Sequence, residues 1–167
     1  MTHSRLNGAD PHPPLRPAAH SGTGRISANA GGARSAIRAT MQRLAGAGLA
    51  PETRENVQIV LAEVINNIIE HAFAGNTAAT FVIEFHLSPD QLQLTLTDRG
   101  RSFPAGRLPP PRVPDLSGPR ATMPEGGFGW PLIRMLTSRL AYRRENGQNR
   151  LDLWFDLATP AAPDPAN

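Results

Sequence analysis

Glu63, Asn67 and His71 recur at four-residue intervals in the run Val60–Phe73, and each is a residue type that can do chemistry. Val57, Val60, Leu61, Val64, Ile65, Ile68 and Ile69 follow an i, i+3, i+4, i+7 spacing and mark one wide apolar helix face. At about 100° per residue, Glu63 and Asn67 fall on a polar stripe at the border of that face, while Asn66 points away from it. A carboxylate and a carboxamide one turn apart can share a bound cation or a polarised water. Asn67 offers a neutral oxygen to Mg²⁺, which takes few protein ligands and keeps phosphates and waters for the rest. Glu63 can orient or deprotonate a nucleophile beside those phosphates. The plainer reading is a helix rim that is polar because it meets water.

Two further constellations follow in the chain. Asp98-Arg-Gly-Arg-Ser-Phe103 ends a predicted core strand. An aspartate there can accept a hydrogen bond from an exocyclic amine, Gly100 lets a flat ring approach the backbone, and Phe103 can pack under the loop that follows. Its plainer reading is a strand-ending turn. Glu125-Gly-Gly-Phe-Gly-Trp-Pro-Leu-Ile133 then runs Gly126, Gly127 and Gly129 into a helix with Pro131 in its first turn. Free N–H groups and the helix dipole suit such an end to phosphate. The Walker arrangement is excluded, since no Gly-Lys-Ser/Thr follows and the chain has no lysine. The dinucleotide fingerprint would need a parallel βαβ unit.

The elements that must hold these residues read as an α-then-β pattern. A helix over about 30–46 turns Ala33, Ile37, Met41 and Leu44 inward and Arg34, Arg38 and Gln42 outward. Gly46 and Gly48 end it, and Pro51 opens a second helix running to about 73. Phe81, Ile83, Phe85 and Leu87 alternate, as do Leu92, Leu94 and Leu96, so the turn Ser88–Gln91 joins a hairpin. Residues 98–128, rich in proline and glycine, form a long loop of the kind that carries function. A short helix over about 130–139 and strands over about 139–145 and 150–157 complete the domain. Residues 1–25 and 159–167 read as disordered tails, and His3, His12 and His20 in the first lack metal-binding spacing.

Composition narrows the classes. The 167 residues suit one domain, with 40 % hydrophobic residues and no apolar run near a membrane span. The opening residues lead into proline and glycine rather than an apolar stretch, and there is no cysteine, so a cytoplasmic setting is expected. All 17 basic residues are arginine, scattered along a chain of net charge +3, which is no nucleic-acid footprint.

Taken in order, Glu63-Val-Ile-Asn-Asn67, Asp98-Arg-Gly-Arg-Ser-Phe103 and Gly127-Phe-Gly129 resemble the motifs of the Bergerat-fold ATPases, the group of gyrase, MutL and the histidine kinases. The resemblance covers about residues 27–157. It implies an α+β fold: a two-layer α/β sandwich whose mixed, mostly antiparallel sheet carries helices on one face. The ATPase domain would span 26–158, with an ATP lid over about 104–126. Glu63 to Ala72 is most similar to the Glu-x-x-x-Asn-x-x-x-His-Ala box of the RsbW and SpoIIAB type of anti-sigma-factor kinases.

By that resemblance Glu63 is the general base, Asn67 the Mg²⁺ ligand and Asp98 the acceptor for the adenine amine. Gly100 and Phe103 belong to the base site, and Gly126, Gly127, Phe128 and Gly129 line the ATP phosphates. Arg120 is the candidate for cationic help from the lid, and His71 is a family marker without assigned chemistry. The implied activity is ATP-dependent phosphorylation of a serine or threonine on a STAS-domain antagonist, with a sigma factor as a second partner and a homodimer as the assembly. Arg34 and Arg38 are candidate partner contacts. Alternatives are a non-catalytic ATP-binding partner switch and a detached histidine-kinase domain. Three features depart from the pattern: Pro131, the proline-heavy lid, and Gly147-Gln-Asn-Arg-Leu-Asp152 where many relatives carry a Gly-Thr pair.

Overall fold

The structure, a computed structural model, describes residues 20–110 and 129–157. Their order is β1 (His20–Ser27), α1 (Ala30–Gly46), α2 (Pro51–Asn67), a π-turn (Ile68–Ala72), β2 (Thr80–Leu87), β3 (Gln91–Asp98), a 3-10 turn (Pro104–Gly106), α3 (Gly129–Leu136), β4 (Arg139–Glu145) and β5 (Gln148–Asp156). The strands lie in the order β1-β2-β3-β5-β4, and every pairing is antiparallel. The α+β sandwich is as expected; among the described strands, the sheet is antiparallel throughout.

The alternation in β2, β3 and β5 places Phe81, Ile83, Phe85, Leu92, Leu94, Leu96, Leu151, Leu153 and Phe155 in one core. Leu44 of α1, Val57, Val60, Leu61, Val64 and Ile65 of α2, and Ile133 of α3 close that core from the helical side. Each such side chain, fully buried, stabilises the fold by about 1.5–3 kcal/mol relative to exposure. On the opposite face Asp152 accepts from Gln93, Thr95 and Arg150, so a buried carboxylate is met by donors from both central strands.

Strand β1 corrects the expected boundary of the N-terminal tail. It begins at His20 and pairs along its length with β2, from His20↔Leu87 to Ser27↔Thr80. The segment lacks an apolar alternation because Gly22 and Gly24 occupy core-facing positions. A Cβ on Gly22 would run into the Phe85 ring, so an aromatic from β2 fills the space and glycine admits it. The rest of that tail, and residues 158–167, lie outside the described residues.

The second helix also departs from regularity where it matters. Beyond Asn67 the α-helical pattern gives way to the π-turn, and the Phe73 N–H donates to the Ile68 carbonyl at 3.0 Å. Such π-bulges gather at functional sites because they re-aim the adjoining side chains. Helix α3 ends at Leu136, earlier than expected, because Thr137 caps the Ile133 carbonyl at 2.7 Å and Ser138 donates to Trp154 at 2.8 Å. The last hairpin is tighter than expected: Asn146 and Gly147, at φ 50 and 75, make its turn and bring Glu145 opposite Gln148.

Candidate functional site

A cavity of about 870 Å³ opens where α2 and the π-turn, the 98–104 segment, the start of α3 and the β4–β5 hairpin converge. Glu63, Asn67, His71, Asp98, Phe103 and Gly129 all line it, so the three sequence constellations share one space.

One end is built by α2 and α3. Gly129, the first residue of α3, lies so close to α2 that a Cβ there would sit 2.6 Å from Glu63 Oε2 and 3.9 Å from Asn67 Nδ2. Glycine at this position therefore leaves room for the Glu63 carboxylate against the start of α3. The Asn67 amide donates back to the Glu63 carbonyl at 2.7 Å, which commits its nitrogen and leaves Oδ1 as an acceptor. A single neutral oxygen beside a carboxylate suits Mg²⁺, which completes its octahedron with phosphates and water. His71, in the π-turn, is exposed on the cavity wall. Gly126, Gly127 and Phe128, Arg120, and lid residues 111–126 lie outside the described residues.

The other end is buried and densely bonded. Asp98, at the end of β3, is 7 % exposed, and its Oδ1 accepts the Gly100 N–H at 2.7 Å and the Asn149 amide at 2.8 Å. Both donors fall on Oδ1, so Oδ2 remains as the acceptor. Burial pushes the Asp98 carboxyl above its ordinary value of 3.8, against the opposing pull of Asn149, the Gly100 N–H and the charge of Arg144. Gly100, which does not line the cavity, makes its close approach to Ala72: its missing Cβ would fall on the Ala72 carbonyl, and Arg101 N–H donates to that same carbonyl at 2.8 Å. Its observed role is to let the strand end dock on the π-turn.

Phe103 packs edge-on between Trp130 and Tyr142, with centroids at 5.2 and 4.8 Å. These rings join the loop after β3 to α3 and β4. Arg134 of α3 adds a hydrogen bond of 2.8 Å to the Pro109 carbonyl, tying the helix to the start of the lid segment. Sequence reasoning missed Asn149, Tyr142, Arg144 and Trp130. Asn149 was visible only as the place where a Gly-Thr pair was absent; Trp130 stood inside the glycine run without an assigned role, and Tyr142 and Arg144 had no local motif.

A fold with helices on one face of an antiparallel sheet, and a cavity joining a Glu-x-x-x-Asn helix to a strand-end aspartate and a helix-opening glycine, defines a class of nucleotide-handling domains. The family model described as "Histidine kinase-like ATPase domain" matches residues 26–155, and the chain belongs to that family. Among curated relatives it is similar to the serine-protein kinase RsbW of Halalkalibacterium halodurans, 31 % identical over 56 % of this chain and 57 % of the relative. It is also similar to the serine-protein kinase RsbW of Bacillus cereus, 31 % identical over 69 % of this chain and 72 % of the relative. Two solved structures share the fold. The RsbU and RsbW domains of a Mycobacterium tuberculosis protein align with a TM-score of 0.56 at 16 % identity, over 81 % of this chain and 32 % of that one. The SiaB–SiaC complex of Pseudomonas aeruginosa aligns with a TM-score of 0.52 at 10 % identity, over 81 % of this chain and 89 % of that one.

Proposed function

We propose that this chain is a Mg·ATP-dependent serine/threonine protein kinase of the partner-switching type, acting on a STAS-domain antagonist and sequestering a sigma factor when that antagonist is phosphorylated. The observation that carries the reading is the meeting of Gly129 with Glu63 at one end of a cavity whose other end is Asp98. The similarity to two proteins named serine-protein kinase RsbW supports the choice of substrate class.

In this reading Asp98 Oδ2 accepts from the base amine, and the phosphates extend towards the start of α3. Asn67 Oδ1 would hold the metal, which when bound would supply positive charge against that of the phosphates. Glu63 takes the proton from the incoming hydroxyl. Its carboxylate, close against the backbone of Gly129, is held where that hydroxyl would arrive, so the protein contributes position and a proton acceptor. Asp98 and Glu63 thus have different tasks, one recognising the base and the other serving the reaction. A homodimer in the cytoplasm is the setting we propose. None of the described helices is long and apolar enough to cross a membrane.

The test uses γ-labelled ATP, Mg²⁺ and a STAS protein encoded nearby. Label should appear on a serine or threonine, and Glu63→Gln should slow transfer about 10²- to 10⁴-fold while ADP affinity stays the same. Nucleotide binding without transfer would establish the partner-switch binding module instead. Label on a histidine of another chain would overturn both readings.

A further inference from the structure

Asn149 stands on β5 opposite Asp98, and the two are register partners in the β3–β5 ladder. Its side chain is 5 % exposed and spends all its hydrogen-bonding capacity within the protein. The amide nitrogen donates to Asp98 Oδ1 at 2.8 Å and to the Arg101 carbonyl at 2.9 Å. The amide oxygen accepts from the Tyr142 hydroxyl at 2.7 Å and from Arg144 Nη1 at 2.6 Å. That assigns the amide orientation, since a flipped group would set its nitrogen against the Arg144 donor and its oxygen against the Asp98 and Arg101 acceptors. Arg144 Nη1 also donates to the Gly100 carbonyl at 2.9 Å. Four groups of the base end thus converge on one side chain that has nothing left to offer a ligand.

We infer that Asn149 is a positioning residue that sets base selectivity: it holds Asp98 so that Oδ2 presents a lone acceptor to a 6-amino purine and disfavours a 6-oxo purine. The inference rests on the nucleotide reading of the cavity and goes beyond it by assigning selectivity to a residue that does not touch the base. With the donors from Asn149 and Gly100 both on Oδ1, the carboxyl plane is fixed and its ionised form is favoured. An amine donates to that oxygen, whereas a 6-oxo group meets it acceptor to acceptor. Without Asn149 the carboxyl can rotate, and its burial drives it towards the protonated form, which donates to a 6-oxo group as readily as it accepts from an amine.

ADP and IDP carry the same phosphates and differ at position 6 of the base, so the ratio of their affinities reads the base end alone. Calorimetric titration of each with Mg²⁺ into the full chain should show a preference for ADP. Asn149→Ala should cut that preference roughly tenfold, the scale of one hydrogen bond to a charged group, by weakening ADP while IDP holds or gains. Tyr142→Phe removes only the hydroxyl that holds the Asn149 oxygen, keeps the ring against Phe103 and leaves the charge of Arg144 in place, so it should lower the ratio by about threefold. If Asn149→Ala does not fold by circular dichroism, the Tyr142→Phe ratio decides. Equal losses for ADP and IDP, or an unchanged ratio, would make Asn149 a structural residue and overturn the inference. A wild-type chain that binds both equally would overturn the role of Asp98 with it, and one that binds neither would overturn the nucleotide reading itself.

Discussion

The two ends of the cavity are built on opposite plans. At the Asp98 end, a buried carboxylate, a fully satisfied Asn149 and the Phe103–Trp130–Tyr142 stack are fixed before any ligand arrives. At the Glu63 end, Asn67 has one local hydrogen bond, and the glycine of α3 lies directly against the Glu63 carboxylate. Recognition of a flat, uncharged base rewards preorganisation, because a polar group buried out of place costs about 1–3 kcal/mol. Phosphoryl transfer instead needs groups that ligand, metal and incoming substrate complete together. On the proposed reading, the rigid end would select and the open end would react.

If that contrast is right, disturbing the open end should damage transfer and spare stability. Gly129→Ala would push only the tip of the Glu63 side chain, so thermal unfolding should shift by under about 1 kcal/mol. Transfer of labelled phosphate should nevertheless fall about a hundredfold, as expected for a misplaced catalytic group. Asp98→Ala attacks the rigid end and should weaken ADP about ten- to a hundredfold by titration, with the phosphate contacts unchanged.

Gly100→Ala tests the rigid end through its foundation. The new methyl would meet backbone at Ala72, which cannot turn aside, so denaturant unfolding should register a loss of about 1–3 kcal/mol. The contrast between the two alanine substitutions is the sharpest statement of the comparison: the first costs activity, the second costs the fold.

The smallest effect is a pH dependence. Because burial holds Asp98 above its ordinary value of 3.8, ADP affinity should decline on acidification sooner than an ordinary aspartate would dictate, and Asp98→Asn should remove that slope. The stability effect has the opposite sign. A carboxyl raised in the folded state contributes stability fully present below 3.8 and lost as pH rises through the folded value, so the ligand-free chain should gain slightly on acidification across that window. Titrations and melts over the same buffers check both slopes.

The legible parts of the fold were those written in local patterns. The apolar spacing of Val57 to Ile68 gave α2, and the alternation of Phe81 to Leu96 gave the β2–β3 hairpin. Strand β1 was hidden because its pairing energy comes from β2 and its packing from the Phe85 ring over Gly22, neither visible within residues 20–27. Glu63, Asn67, Asp98 and Gly129 were legible as candidates because their spacing follows single elements. Asn149, Tyr142 and Arg144 meet Asp98 only through the β3–β5 and β4–β5 ladders, across a sequence separation of 51 residues for the Asn149–Asp98 bond. Gly100 was found for one reason and is held by another, since the position of Ala72 depends on the π-turn that interrupts the helix.

The central claim is that one nucleotide spans both ends, base at Asp98 and terminal phosphate at Glu63. A crystal structure with Mg²⁺ and a non-hydrolysable ATP analogue tests it most directly. The account predicts the base amine hydrogen-bonded to Asp98 Oδ2 and the terminal phosphate beside Gly129 and the Glu63 carboxylate. A base bound at the Glu63 end, or a nucleotide seated outside the cavity, would contradict it.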